Sequence, residues 1–332
     1  MKNWRRLISI PLYLLIFNVL WNLAPILFLL TIATDLLSKA PKLPRTRCLV
    51  FIIAYLAFDL AAIAALFCTW AFYGAWPGAD KSKFMAADYA IQRAWLGTTF
   101  RLAERLFSVT LIVDGDEVTA KGPFLLFLRH TSLTDTLLAG ALIANPRKMH
   151  LRYTLKEQLL WDPGIDIIAQ RLPNAFLKRG GGSDKDADIA AIKELARDLG
   201  LRDALVMYPE GTRFTKAKHE RAIQRLRESK NVDRDVLAMA EQLHHLLPPK
   251  TGGPLALLDA APNADVVFCA HTGLEHSNSF KHVWRGGLMG TTVRVHFWRV
   301  SAADIPREPS QQLRWLYGEW LKSDAWVAGH QQ

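Results

Sequence analysis

A histidine and an aspartate, His130 and Asp135, follow a run of five apolar residues at 124–128. Histidine is the side chain best suited to accept a proton near neutral pH, and a carboxylate can fix its tautomer and stabilise the imidazolium that forms. Residues five apart do not face each other on a regular helix, so the two can meet only if a turn precedes the helix. The same residues also read as a helix start, because Ser132-x-x-Asp135 has the form of a capping box in which Asp135 merely holds the first turn. A second string, Tyr208-Pro209-Glu210-Gly211-Thr212-Arg213, follows the apolar residues 204–207. Proline and glycine give a stiff turn whose backbone can approach a ligand, and Arg213 can grip a phosphate with two hydrogen bonds. The alternative there is an ordinary surface turn with a solvated arginine. A third run, Phe176-Leu177-Lys178-Arg179, adds two cations at a strand end. A proton acceptor and an anion-holding loop on one sheet edge suit acyl transfer onto a phosphate-bearing alcohol.

The elements that must position these residues are legible as alternating patterns. Strand-like runs lie at 108–113, 124–128, 151–154, 175–178, 204–207, 266–270 and 292–300, with helical patterns at 132–143, 184–199, 218–226 and 234–244. That alternation predicts an α/β fold, a mixed central sheet flanked by helices. A last helix, 311–320, carries Trp315, Leu316 and Trp320 and closes the domain. Gly180-Gly181-Gly182-Ser183 reads as a flexible break; it is not a nucleotide-binding loop, since no Lys-Ser/Thr follows in register.

Half of the 332 residues are apolar, and they are concentrated at 7–37 and 48–76. About 20 apolar residues suffice to cross a bilayer, so each stretch is long enough. We therefore expect a membrane-embedded helical hairpin over 1–83 and a catalytic domain over 84–332. The hairpin either spans the bilayer or dips into one leaflet. Asn18, Asn22 and Asp59 interrupt the apolar stretches and need partners, for which the other arm of the hairpin is a candidate. Residues 84–107 have the spacing of an amphipathic helix, on the membrane surface or packed on the sheet. A net charge of +10 favours anions, and no zinc finger, RNP-like motif or continuous basic helix points to nucleic acid. Cys48, Cys68 and Cys269 have neither metal spacing nor a disulfide framework, as expected of buried thiols in a reducing compartment.

Together the strings resemble the lysophospholipid acyltransferase family, of the 1-acylglycerol-3-phosphate and lysocardiolipin type. Its Asn-His-x4-Asp motif corresponds to Arg129-His130 through Asp135, its Gly-x-x-Phe-(Ile/Val)-x-Arg motif to Pro173 through Arg179, and its Pro-Glu-Gly-Thr-Arg motif stands intact at Pro209 to Arg213. Residues 246–253 and 292–299 resemble further elements of one branch, so the likeness covers about residues 105–325. Arg129 stands where the family has Asn, and Pro173 where it has Gly. The resemblance implies that His130 takes the proton of a lysophospholipid hydroxyl as it attacks acyl-CoA, and that Asp135 holds the imidazolium. It further implies that Lys178, Arg179, Gly211, Thr212 and Arg213 bind the acceptor around its phosphate, with Glu210 at its glycerol hydroxyls. Amides near a helix start or in the Gly211 loop would stabilise the oxyanion. It implies no cofactor and no metal, acyl-CoA as co-substrate, membrane lipids as partners, and a bacterial inner membrane with the catalytic domain on the cytoplasmic face.

Four rivals stand beside it. Acyl carrier protein or a second phospholipid could supply the acyl group. A serine hydrolase would use Ser132, although no G-x-S-x-G elbow is present. A zinc enzyme would use the stretch His271 to His276, one residue longer than an H-x-x-E-H pattern. A membrane scaffold would keep the fold without the chemistry.

Overall fold

A computed structural model describes residues 4–40, 42–132, 134–177, 185–229 and 232–331. Seven strands form one sheet: β1 (Thr110–Asp114), β2 (Phe124–Leu128), β3 (His150–Lys156), β4 (Ala175–Leu177), β5 (Asp203–Met207), β6 (Asp265–Thr272) and β7 (Thr292–Val300). Their order is β1-β7-β6-β2-β5-β3-β4. Every pairing is parallel except β6 with β7, so the sheet is mixed, as the alternating pattern predicts. Runs 124–128 and 292–300 match β2 and β7 to the residue: the first is an unbroken apolar run, and in the second Val293, Val295 and Phe297 alternate with polar neighbours and are buried.

All five residues of β2 and of β5 are buried, as befits central strands covered on both faces. Side chains alternate between the faces. Phe124, Leu126 and Leu128 join Ala204, Val206 and Val267 on one face, under Ala103 and Phe107 of α3 (Lys81–Phe107). Residues 84–107 thus form a helix packed on the sheet. Leu125, Phe127, Leu205 and Phe268 face the other way, against helices of the second layer. Those helices are α6 (Lys185–Ala196), α9 (Gly252–Ala260) and α11 (Pro309–His330). Trp320 of α11 is fully buried there, and α11 runs ten residues beyond the expected 311–320.

The predicted helix at 132–143 is not regular. Asp135–Leu137 is a 3₁₀ turn, Gly140–Ala144 a wide π turn, and α4 is only Asn145–Arg147. Ser132 and Asp135 close a turn before any helix begins, and at Gly140 the backbone meets α3 so closely that a Cβ would lie 2.7 Å from Leu96 Cβ. Two helices had no periodic signal: α5 (Pro163–Arg171), whose Asp-Pro-Gly start reads as a turn, and α9. Three more complete the chain, α7 (Lys216–Glu228), α8 (Arg234–Glu241) and α10 (Phe280–Trp284).

The front end is α1 (Trp4–Leu37) and α2 (Pro44–Tyr73), both apolar and long enough to cross a membrane. Asp35, buried at the end of α1, accepts from Thr46 N at 3.0 Å and Thr46 Oγ1 at 2.9 Å, capping α2 across the turn. Asn22 donates to Asn18 within α1. The other polar groups find partners on α5, not across the hairpin. A Cβ on Gly164 would overlap the Asp59 carboxylate, so Gly is required at that approach. Tyr13 and Tyr55 both donate to Asp162 Oδ2, at 2.9 and 3.0 Å. Arg5 and Arg6 pair with Asp166, and Arg171 donates to Leu66 O at 2.7 Å. The two helices are thereby bolted to α5, and most of α1 keeps its apolar surface exposed.

Replacing Asp166 by Ala removes a fully buried carboxylate shared by two arginines. We expect a loss of roughly 2–3 kcal/mol, below the full value for a buried pair because both arginines are partly solvated. Thermal unfolding in detergent should show it, together with faster tryptic cleavage at Arg5 and Arg6. Unchanged unfolding and digestion would mean that the clasp carries no stability.

Candidate active site

Parallel strands deliver their carboxyl ends to one edge, where ligands bind in open α/β sheets. The register pairs Phe127 of β2 with Met207 of β5, so His130 and Glu210 lie three residues beyond the same rung. His130 N donates to Glu210 Oε1 at 3.0 Å, and Phe214 N donates to His130 O at 2.9 Å. The loop carrying Arg213 is therefore fastened directly to the backbone of His130.

His130 and Asp135 meet. The imidazole Nδ1 lies 3.1 and 3.2 Å from the two carboxylate oxygens. Asp135 is fully buried; the His130 side chain is 11% exposed. A carboxylate only accepts, so Nδ1 carries the proton and Nε2 is left as the base. Nε2 has no hydrogen bond among the described residues. The capping reading holds as well. Asp135 Oδ2 accepts from Thr131 N at 2.7 Å and Ser132 N at 2.8 Å, and Ser132 Oγ accepts from Asp135 N at 2.9 Å and Thr134 N at 3.1 Å. One carboxylate thus builds the turn and aims the base. The amides of Thr131, Ser132, Thr134 and Asp135 are engaged in this turn, and the Gly211 amide is engaged by Tyr208 O at 2.9 Å. Ser132 is buried and committed to the cap, not free as a nucleophile.

Arg129, in the family's Asn position, is 1% exposed. Its guanidinium donates to His271 O, to Glu275 Oε1 at 2.7 Å and to His245 O at 3.1 Å, joining three segments. His271 Nε2 donates to Arg129 O at 3.0 Å and lies 3.9 Å from Asp135 Oδ2. Burial pushes the pKa of this imidazole down, favouring its neutral form behind the Asp135 carboxylate. Burial would raise Glu275, but the Arg129 guanidinium holds it below the usual carboxylate range. His276 is exposed while His271 is enclosed, so the two do not form a paired ligand set. The sequence marked this cluster through the unusual Arg and the zinc-like stretch His271 to His276, but not as a set of contacts with Arg129.

Glu210 sits apart from its expected place at glycerol hydroxyls. It is 1% exposed, and its oxygens accept from His130 N and, at 3.3 Å, from Leu247 N. Burial pushes its pKa from 4.5 up to about 8, with the His130 amide opposing. Gly211 has φ +67°, a left-handed conformation that favours glycine, and the Lys250 side chain lies over it. Lys218 Nζ donates to Thr212 Oγ1 and Arg213 O, both at 3.0 Å. Arg213 Nη1 donates to Asn278 O at 2.6 Å. Lys178 and Arg179, with Gly180 to Ser183, lie outside the described residues. The segment 244–250 is held by α11: Asp324 Oδ1 accepts from His245 N at 2.7 Å and Leu246 N at 2.8 Å, and Trp320 donates to Leu247 O at 3.0 Å. A narrow, mainly apolar groove is lined by Phe100, Leu137, Leu138, Leu274 and Leu288, with Thr134 and Glu104 as its polar members.

Residues 110–260 match the Acyltransferase family. "Probable 1-acyl-sn-glycerol-3-phosphate acyltransferase 5" of Arabidopsis thaliana is 25% identical over 248 residues, covering 71% of this chain. The chain spans 62% of the length of that curated relative. The crystal structure of the 1-acyl-sn-glycerophosphate acyltransferase PlsC from Thermotoga maritima has a TM-score of 0.54, with 15% identity, over 86% of this chain and 95% of that one. That likeness is one of fold.

A carboxyl whose pKa rises on folding takes up a proton, so its contribution to stability is fullest below pH 4.5 and is lost as pH climbs through about 8. Glu210→Gln should flatten the fall in melting temperature between those limits. Parallel pH curves for wild type and variant would contradict a protonated Glu210.

Proposed function

We propose, on the membership of residues 110–260 in the acyltransferase family, that this chain moves a fatty acyl group from acyl-CoA to the free hydroxyl of a lysophospholipid, such as lysophosphatidic acid. The observation that carries the reading is the contact between His130 Nδ1 and the Asp135 carboxylate. With Nδ1 protonated, Nε2 removes the acceptor's hydroxyl proton as that oxygen attacks the thioester carbon. The resulting imidazolium lies against a buried carboxylate, which stabilises it. When the tetrahedral intermediate collapses, the proton passes to the departing CoA sulfur, and the base is restored. General-base help of this kind is worth about 10²–10⁴-fold, and positioning adds to it.

Arg213, and with it Lys178 and Arg179, are assigned to the acceptor's phosphate. Glu210 we assign to positioning: it ties the His130 amide to the 244–250 segment and so fixes the Gly211 loop. The two apolar N-terminal helices suggest membrane association, and lipid then reaches the site without crossing water. We place the catalytic domain on the cytoplasmic side, where acyl-CoA is made, as in a bacterial inner membrane.

His130→Ala should lower kcat by about 10³-fold or more in a detergent assay with lysophospholipids and acyl-CoA. Failure of pure, folded wild type with every acceptor and donor would refute the enzyme. Arg213→Ala should raise KM about tenfold for phosphate-bearing acceptors and leave monoacylglycerol turnover unchanged. Equal effects on both acceptor classes would remove Arg213 from the phosphate site.

A further inference from the structure

Building on that reading, we infer that a pocket formed by residues 275–287 is a phosphate-ester subsite for the polar end of an amphiphilic substrate. The cavity holds about 350 Å³ and is lined by Glu275, His276, Asn278, His282 and Arg285, with two glycines at its floor. That is the size of a small-ligand site, room for a phosphate together with a glycerol or a sugar.

Its position is the first argument. The apolar groove and this pocket share a wall. Leu274 and Leu288 line the groove, whereas their chain neighbours Glu275 and Gly287 line the pocket. The segment is tied to the catalytic turn, since Ser277 Oγ lies 3.4 Å from Thr134 Oγ1 and Glu275 is paired with Arg129. Arg213 donates to the carbonyl of Asn278, a lining residue, so its guanidinium stands at the rim. The pocket is thus fastened to the turn that carries the dyad.

Charge is the second argument. The Arg285 side chain is exposed, and its guanidinium has no hydrogen bond or ion pair among the described residues. His282 Nδ1 is engaged by Asn278 Oδ1 at 2.7 Å, which orients the ring and leaves Nε2 for a ligand. The carboxylate of Glu275 is taken up by Arg129 at 2.7 Å and by Gly273 N at 2.7 Å, so the acidic member of the lining is already balanced. What remains is the Arg285 guanidinium, a fork of donors suited to phosphate oxygens, with the His282 ring beside it as a partner for a ligand hydroxyl. Two substrates of the proposed reaction join a fatty chain to phosphate, the lysophospholipid and acyl-CoA. The chemistry recognised is the same in both.

Arg285→Gln combined with His282→Gln tests this. Both side chains are exposed, so the fold should tolerate the change, which thermal unfolding checks. We expect KM to rise about tenfold for one substrate, with kcat within twofold of wild type. A rise for the acceptor assigns the pocket to its head group; a rise for acyl-CoA assigns it to the donor's phosphates. Calorimetric titration with glycerol 3-phosphate and with adenosine 3′,5′-bisphosphate supplies a readout free of turnover, and the variant should lose affinity for the matching fragment. If wild type turns over no substrate yet binds a fragment that the variant loses, the acyltransfer reading fails and the subsite stands. If turnover is normal, neither KM changes and the variant binds both fragments as wild type does, the subsite is overturned and the acyltransfer reading stands. Wild type binding neither fragment, with both KM values unchanged in the variant, also overturns it.

Discussion

Everything at the edge of this sheet turns on one buried carboxylate. Asp135 has no access to water, so its charge must be met by the protein. Two backbone amides and one imidazole meet it, and to do so the chain after β2 must turn sharply instead of entering a helix. The irregular stretch from Asp135 to Arg147 follows from that demand. The local cost in helical regularity secures a base with a single tautomer. Capping the turn and orienting the imidazole are therefore two outcomes of the same contacts, and the sequence alternatives are not exclusive.

A second layer of contacts keeps the dyad in register with the anion loop. Glu210 joins the amides of His130 and Leu247, Asp324 of the last helix fixes the segment before Leu247, and Phe214 bonds back to His130. The path runs from α11 through a loop to the base without leaving the protein interior. Arg129 performs the matching task on the other wall, joining β6, the Glu275 turn and the His245 carbonyl. A side chain as short as Asn could not span those three acceptors, which is the physical meaning of this departure from the family pattern.

Much of this was legible. The strands announced themselves through unbroken apolar runs, and the two motifs lie at strand ends that the sheet makes neighbours. Contacts between distant segments were not legible. Nothing local indicates that Glu210 faces amides instead of a ligand, because its oxygens are taken by residues 80 positions before and 37 after it. The polar groups of the apolar front end pointed correctly to a need for partners, yet α5, which supplies them, carries no strong periodicity. The pocket at 275–287 is built from a loop and a five-residue helix, where neither a period of two nor of 3.6 exists to be read.

The central claim is that Asp135 keeps His130 in the tautomer whose free nitrogen accepts a proton. The most direct measurement is the kcat of Asp135→Asn with lysophosphatidic acid and acyl-CoA. An Asn oxygen can still accept from Thr131 N and Ser132 N, so the turn survives while its amide group forces the opposite tautomer on the ring. The account predicts a fall in kcat of about 10²–10⁴-fold with both KM values unchanged. A folded variant that turns over at the wild-type rate would contradict it.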